Sequence, residues 1–248
     1  MKKGVSFITV IRNVELNKLN NTINSILINC RAIDYEIILQ DGSDYKSNSI
    51  FDNKVKYFYQ KDEGIYNAMN LAINKASYSH LFFINVGDTL LDGINNFNSD
   101  NIQVVQYFNF VRDSENIYYP KFITKFYMIR NALCHQCQIY PTNVVVQAGG
   151  YNEKYQVLAD QELSLKLYLQ GVRFLKNQGF ISKTAPMEFS AKNKKLRDFE
   201  RKQIIQNFFK NYQFLKFIYF LTLPKLRNRL LRFRVFIILR NYIKKNNK

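Results

Sequence analysis

Short apolar runs alternate with amphipathic segments along roughly the first 90 residues of the chain. Residues 5–11, 35–40, 55–59 and 81–85 have the length and the β-branched or aromatic content of buried strands. Residues 15–29 and the segment that begins near Gly64 carry apolar side chains at helical spacing. The order strand, helix, strand, strand, helix, strand predicts an α/β fold built on a mainly parallel sheet.

Polar residues follow each predicted strand at its carboxyl end. Arg12 and Asn13 follow the first strand, Asp41 the second, Asp62 the third and Asp88 the fourth. In sheets of this kind, ligands bind in the crevice outside the carboxyl ends of the strands. We therefore expect these side chains to converge on one crevice.

The segment Lys61-Asp-Glu-Gly-Ile-Tyr-Asn-Ala-Met-Asn70 places charge, a glycine and two asparagines at the start of the second predicted helix. A glycine lets backbone N–H groups approach a ligand closely, and the start of a helix favours a phosphate. The segment is therefore a candidate phosphate site. It could equally be a turn before a helix that packs on the sheet.

The region after Asp88 predicts a hairpin and a further helix. Residues 103–110 and 117–122 indicate two strands around a polar turn, and residues 158–170 form a strongly apolar helix closed by Gly171. Between them, Cys134 and Cys137 form a C-x-x-C pair around His135. Outside this cluster the chain offers only Cys30 and His80 to complete a four-ligand zinc site, so we expect no structural zinc.

Four ordered motifs in this region resemble those of the family 2 glycosyltransferases. They are residues 7–13, 36–43, 62–70 and 83–88. The resemblance covers roughly residues 5–175 and is nearest to the branch that builds bacterial surface polysaccharides. It implies a GT-A type mixed, mainly parallel sheet flanked by helices, and a nucleotide-sugar donor.

The resemblance also implies roles for residues of the donor site. Thr9, Val10 and Asn13 match the first-strand motif that borders the nucleoside. Asp41 matches the acid that accepts a hydrogen bond from the base, commonly uracil, and an ionised carboxylate suits the imide N–H of that base. Residues matching the loop beside the ribose and diphosphate, and its helix, are Asp62, Gly64, Asn67 and Asn70.

Asp88 matches the last acid of the family's metal motif. Asn85 and Val86 stand where many relatives carry the first acid. Mg²⁺ or Mn²⁺ can still be held by one carboxylate together with substrate phosphates and waters. We therefore expect a divalent metal, Mn or Mg, at Asp88.

Asp160 matches the catalytic base, an acid that follows an alanine at the start of its helix. The implied reaction is an inverting transfer in which Asp160 takes the proton of an acceptor hydroxyl. Glu162 is the competing candidate, and Asp160 could also be an ordinary acid favoured by the helix dipole. His135 either lines the active site near the diphosphate or acceptor, or is a structural histidine.

The net charge of +17 is concentrated in the C-terminal part of the chain. Residues 192–248 contain 17 Lys and Arg against Asp198 and Glu200, which leaves 19 basic and 17 acidic residues in the first 191. We therefore divide the chain into a catalytic domain, residues 1–191, and a basic aromatic helical extension, residues 192–248.

The basic extension suits the surface of an anionic bilayer. Its Phe and Tyr residues interleave with Lys and Arg, and each basic residue near such a surface contributes about 1 kcal/mol. Its charges and Pro224 interrupt any run of the roughly 20 apolar residues that a spanning helix needs. A solvated tail and self-association as a homo-oligomer remain alternatives. Nucleic-acid binding is not expected, because no zinc-finger, RNP or KH signature appears.

Together these features predict a glycosyltransferase on the inner, cytoplasmic face of a cell membrane. The chain begins without an apolar signal region, and three cysteines make no disulfide framework. The expected reaction moves a hexosyl or N-acetylhexosaminyl group from a UDP-sugar to a polyisoprenyl-diphosphate-linked saccharide. The alternatives are a nucleotidyltransferase of related fold and a non-catalytic membrane adaptor.

Overall fold

The computed structural model describes residues 1–47, 51–131, 133–185 and 192–209. The strands are β1 (Lys2–Ile11), β2 (Tyr35–Asp41), β3 (Val55–Tyr59), β4 (Tyr78–Phe83), β5 (Thr89–Leu90), β6 (Val104–Arg112), β7 (Glu115–Ile117), β8 (Gln138–Pro141) and β9 (Arg173–Thr184). The α-helices are α1 (Leu16–Asn29), α2 (Ile65–Ile73), α3 (Lys125–Arg130), α4 (Thr142–Gln147), α5 (Ala159–Leu169) and α6 (Lys194–Phe208). Two 3₁₀ turns lie at Asp92–Asn96 and His135–Cys137.

All nine strands of the described residues belong to one sheet, in the order β3-β2-β1-β4-β8-β6-β9-β5, with β7 paired to β6. The first four strands run parallel, so β1, β2 and β3 end side by side at Ile11, Asp41 and Tyr59. Strand β8 is antiparallel to both β4 and β6. The predicted α/β class and mixed sheet are confirmed, although the sheet expected to be mainly parallel has four parallel and four antiparallel pairings among the described strands.

The core lies where apolar faces of the sheet and helices meet. Phe7 is fully buried on β1 and packs edge-on against Tyr35 and Phe82, with ring centroids 5.7 Å apart in both pairs. Helix α1 buries Leu19, Ile23 and Ile26, the apolar positions that its sequence spacing places on one face.

The predicted hairpin after residue 100 forms with a shorter second strand. Strands β6 and β7 pair antiparallel from Phe110 with Ile117 to Arg112 with Glu115. The sequence predicted the second strand over residues 117–122, but β7 lies earlier, at Glu115–Ile117, so the two share only Ile117 and the predicted bounds were wrong. Pro120 follows shortly and has no N–H to donate to a sheet, and Tyr119 instead donates its N–H to the side chain of Asn109.

The contacts within the chain separate two compact units, residues 1–201 and residues 202–248. The first eight residues of α6, up to Arg201, thus belong to the larger unit, although the sequence assigned them to the extension. Of the second unit the structure describes residues 202–209, of which 202–208 continue α6. The predicted membrane-association region lies mostly outside the described residues and stays a prediction. Among the described helices, none has the length and apolarity needed to cross a membrane.

The side chain of Asn70 on α2 packs closely against the backbone of the loop that precedes α5. Gly150 has a φ of +71°, and a Cβ built there would overlap the side-chain oxygen of Asn70. That oxygen accepts from the Tyr151 N–H at 2.9 Å, and the Asn70 amide donates to the Tyr151 carbonyl at 2.9 Å. Only glycine at position 150 permits this reciprocal pair, because any side chain there would be both strained and in conflict with Asn70.

We expect Gly150→Ala to lower the free energy of unfolding by about 1–3 kcal/mol, because it adds backbone strain and displaces Asn70. Gly171→Ala is the matched control. Gly171 has a similar φ of +85°, but a Cβ there meets nothing within 4 Å. Denaturant unfolding of both variants measures the difference, and equal losses at the two positions would contradict a specific contact with Asn70.

Candidate active site

The ends of β1 and β2 and the segment before α2 meet at one edge of the sheet. Arg12 binds the Asp62 carboxylate at 2.5 Å, and that carboxylate lies so close to Gly42 that a Cβ there would overlap it. Asn13 donates its backbone N–H to Ser43 Oγ at 2.8 Å. The convergence expected from the sequence is therefore present for Arg12, Asn13 and Asp62, whereas Asp88 lines a cleft to which these residues do not belong.

The residues predicted to face the nucleoside already have partners within the protein. The Asp41 carboxylate is 1% exposed and accepts hydrogen bonds from the Ser43 N–H at 2.8 Å and the Tyr57 hydroxyl. Burial and the bond to Asp41 raise the pKa of Tyr57 to about 12. Buried Thr9 donates to the Ile84 carbonyl at 2.9 Å, whereas Val10 is half-buried. A base would have to share or replace the Tyr57 bond, and the roles of Asp41, Thr9 and Val10 stay predictions.

Two backbone N–H groups immediately before α2 are bound by side chains. Gly64, at a φ of +140°, donates its N–H to Asp62 Oδ1 at 3.0 Å, and Glu63 donates its N–H to the Asn67 side chain at 3.2 Å. A Cβ at Gly64 would meet nothing within 4 Å, so the space beside this helix start is open to a ligand.

Asn67 and Asn70 connect α2 to the loop before α5. The two amide groups donate to the two carboxylate oxygens of Glu153, at 3.0 and 2.7 Å. Asn70 also forms the pair with Tyr151 described above. The structure gives both asparagines protein partners, so a direct donor contact for them stays a prediction.

A large cleft lies beside this edge, within residues 1–201. Its volume is ≈ 950 Å³, and it brings together Asp88, His135 and Asp160, which are far apart in sequence. The amide and arginine side chains that line it with them belong to Asn85, Asn131, Gln136, Gln156, Arg112, Arg130, Arg197 and Arg201. Ile65 and Tyr66 at the start of α2 also line the cleft, so α2 borders both it and the Asp62 group.

Asp88 is a buried carboxylate with three N–H donors from three parts of the chain. It accepts from the Ala185 N–H at 2.8 Å, the Gln136 side chain at 3.1 Å and the Asn85 N–H at 3.3 Å. Burial raises the pKa of Asp88, against the lowering effect of these donors and of His135. Asp88 therefore joins the ends of β4 and β9 to the 3₁₀ turn that carries His135.

The described residues fit a cation that is held jointly with substrate. They contain no group of three or more His, Cys, Asp or Glu that could hold a metal by itself. Asp88 and Asn85 offer oxygen atoms to the cleft, and both ring nitrogens of buried His135 lack hydrogen-bond partners in the described structure. A hard divalent cation could use these few protein ligands only if phosphate oxygens and waters completed its shell.

Asp160 faces the cleft from the first turn of α5. Its Oδ2 lies 3.6 Å from His135 Nδ1, which is too far for a hydrogen bond, and its Oδ1 accepts from the Gln161 N–H at 2.8 Å. The competing candidate Glu162 does not line the cleft, and its burial raises the pKa of its carboxyl. The geometry thus favours Asp160 over Glu162 as the acid that meets a substrate.

Glu200 holds the backbone that leads into Asp160. Its carboxylate is 2% exposed and accepts from the N–H groups of Gln156, Val157 and Leu158 at 2.6, 3.0 and 2.9 Å. These donors lie immediately before α5, where helix geometry leaves N–H groups unpaired. Sequence reasoning missed this role because it counted Glu200 only as a charge of the basic extension, although an acid set among so many basic residues was a usable signal.

We expect Glu200→Ala to lower the free energy of unfolding by about 1–3 kcal/mol, because three N–H groups lose their acceptor. Amide hydrogen exchange at residues 156–158 should accelerate more than exchange within the following helix, α5. Asp198→Asn is the control on the same helix, since that side chain is 48% exposed. Unchanged exchange at residues 156–158 in Glu200→Ala would refute the anchoring role.

The chain is similar in sequence to glycosyltransferases, although no family model matches it. Curated relatives from Mycobacterium bovis and Mycobacterium tuberculosis, named PGL/p-HBAD biosynthesis glycosyltransferase, are 23% identical over 156 residues. The match spans 54% of this chain and 59% of those proteins, which is less than two thirds of their length.

Comparison with solved structures identifies the type of fold. S. aureus TarS 1–349 in complex with UDP matches with a TM-score of 0.61 and 16% identity over 84% of this chain and 66% of that one. TarS with UDP-GlcNAc has a TM-score of 0.56 at 16% identity over 75% and 58%. GalNAc-T7 with UDP, GalNAc and Mn²⁺ has a TM-score of 0.55 at 14% identity over 73% and 43%. The chain therefore has a family 2-like glycosyltransferase fold of the GT-A type.

Proposed function

We propose that this protein is an inverting glycosyltransferase that moves a sugar from a nucleotide-sugar donor, a UDP-sugar, to an acceptor hydroxyl. The observation that carries the proposal is one cleft in which Asp88 and Asp160 lie at the carboxyl edge of the sheet, beside the start of α2. The names of the sequence relatives and the UDP and UDP-GlcNAc complexes of TarS support it.

Asp160 is the residue that this reaction would use as general base. Its carboxylate accepts the proton of the acceptor hydroxyl while that oxygen forms a bond to the anomeric carbon. The bond between the anomeric carbon and the nucleoside diphosphate breaks at the same time, and the diphosphate leaves with the bonding electrons. Attack on the face opposite the leaving group inverts the configuration of the sugar. His135 Nδ1 lies 3.6 Å from Asp160 Oδ2.

A divalent cation, Mn²⁺ or Mg²⁺, would be held by Asp88 with Asn85 or His135 and the donor phosphates. When bound, such an ion supplies positive charge that stabilises the leaving diphosphate. The Mn²⁺ in the GalNAc-T7 complex supports this assignment. The three N–H donors of Asp88 orient its carboxylate whether or not a cation is present.

We further propose that the acceptor is a saccharide on a polyisoprenyl diphosphate in the synthesis of a bacterial surface polysaccharide. The 17 basic residues among residues 192–248, interleaved with aromatics, support binding to an anionic membrane on which such an acceptor resides. The enzyme would act on the cytoplasmic face of that membrane.

We expect Asp160→Asn to lower kcat by about 10²–10⁴-fold, because the amide cannot accept the proton. UDP binding, measured by calorimetry, should change less than twofold. Glu162→Gln is the matched control, since Glu162 lies two residues beyond Asp160 on α5 but does not line the cleft. A near-normal rate for Asp160→Asn, or a larger loss for Glu162→Gln, would reject Asp160 as the base.

Deletion of residues 213–248 should abolish sedimentation with liposomes that contain anionic lipid, because it removes most of the basic and aromatic residues of the extension. Neutral liposomes serve as the control, and raised salt should weaken binding of the full chain. If the truncated chain sedimented as well as the full chain, the extension would not be the anchor.

A further inference from the structure

Arginines outnumber acids among the residues that line the cleft. Four arginines and two acids line it, with the acids being Asp88 and Asp160. The arginines come from three separate elements: Arg112 ends β6, Arg130 ends α3, and Arg197 and Arg201 lie on α6. Such a concentration of like charge in one cavity is unfavourable unless an anion occupies it.

The arginines fall on two sides of the cleft. Arg112 pairs with Thr184 in the β6–β9 register, next to Ala185, whose N–H binds Asp88. Arg112 therefore lies on the side of the cleft that would hold the donor diphosphate. The other three line the cleft together with Asp160, and we call them the α3–α6 arginines: Arg130, Arg197 and Arg201.

Two contacts place the α3–α6 arginines around the start of α5. The side chain of Gln161, next to Asp160, donates to the Met128 carbonyl at 3.3 Å. Met128 lies two positions before Arg130 on α3. Glu200 binds residues 156–158, and it is the direct neighbour of Arg201 on α6. Arg197 and Arg201 are four residues apart, so they share one face of α6.

The guanidinium of Arg201 has an unused donor. Its Nε is buried and has no hydrogen-bond partner in the described structure, and the same holds for Arg112 on the donor side. A buried donor without a partner is unfavourable, and the forked N–H groups of arginine match phosphate oxygens in geometry. The chemistry that would satisfy these groups is that of a phosphoryl anion.

We propose that the α3–α6 arginines bind a phosphoryl group of the acceptor, separate from the diphosphate of the donor. This inference rests on the proposed function, and it assigns the acceptor to the class of phosphorylated molecules rather than neutral saccharides. Because α3 and α6 contact the start of the helix that carries Asp160, the hydroxyl that reacts belongs to a sugar close to that phosphoryl group. The acceptor would thus be short, or would react near its phosphorylated end.

The test measures binding of inorganic pyrophosphate by calorimetry to the full chain, with and without saturating UDP. UDP fills the donor side, so pyrophosphate that still binds in its presence reports the second site. We expect such binding in the unmodified chain. Loss of all pyrophosphate binding when UDP is saturating would overturn the proposal, because the anion would then have used only the donor side.

Variants locate the second site. Arg201→Ala and Arg130→Ala should each weaken pyrophosphate binding in the presence of UDP by roughly tenfold or more, and should leave UDP affinity within twofold. Arg130 is exposed at the end of α3, so its variant should fold even if Arg201→Ala does not. Arg173→Ala, an exposed arginine at the start of β9 outside the cleft, is the matched control and should bind normally.

Further experiments distinguish a lipid diphosphate from a soluble phosphate as the source of the phosphoryl group. They also distinguish failure of the anion site from failure of the proposed function. Arg112→Ala should weaken UDP binding and spare pyrophosphate binding in UDP-saturated protein. Farnesyl diphosphate should compete with pyrophosphate if the acceptor is a lipid diphosphate, whereas a free sugar phosphate alone would indicate a soluble acceptor. Normal binding by both Arg130→Ala and Arg201→Ala would overturn the site. Pyrophosphate binding without any sugar transfer would instead reject the proposed function and leave the anion site standing.

Discussion

The burial of the Asp88 carboxylate is the constraint on which the cleft depends. An ionised group removed from water is very costly unless hydrogen bonds replace its hydration. Asp88 obtains them from Asn85, Gln136 and Ala185, which belong to three segments separated by up to about 100 residues. Meeting this requirement brings the end of β9 and the His135 turn to the end of β4. His135 and Asp160 both line this cleft, and His135 Nδ1 lies 3.6 Å from Asp160 Oδ2.

The buried carboxylate of Glu200 is likewise satisfied by hydrogen bonds, at the segment that leads into α5. One buried carboxylate accepts three consecutive backbone N–H groups at the start of the helix that carries Asp160. The basic C-terminal region and the candidate base are thereby connected through a single helix, α6, whose first part belongs to the catalytic unit. A segment that the sequence assigned to the basic extension thus supplies Arg197 and Arg201 to the cleft.

Strand ends and polar partners differ in how far sequence can predict them. The meeting of Arg12, Gly42 and Asp62 follows from parallel strand order, because parallel strands must present their carboxyl ends at one edge. The partners of Asp41, Asn67 and Asn70 do not follow from it. Short polar side chains bond to whichever group the folded chain brings within about 3 Å, and here those groups are Tyr57, Glu153 and Tyr151. Sequence placed these residues at the right edge without revealing what they contact.

The sequence by itself determined the alternation of strands and helices, the strand ends that Arg12, Asp41, Asp62 and Asp88 follow, and the concentration of basic charge after residue 191. These features are local, since periodicity, turn residues and composition are read over a few neighbouring positions. The tertiary structure alone decided that Asp160 rather than Glu162 faces the cleft, that Glu200 anchors α5, and that arginines from β6, α3 and α6 share one cavity. Such contacts join residues from distant parts of the chain, and they are set by which buried donors and acceptors can satisfy one another once the sheet has formed.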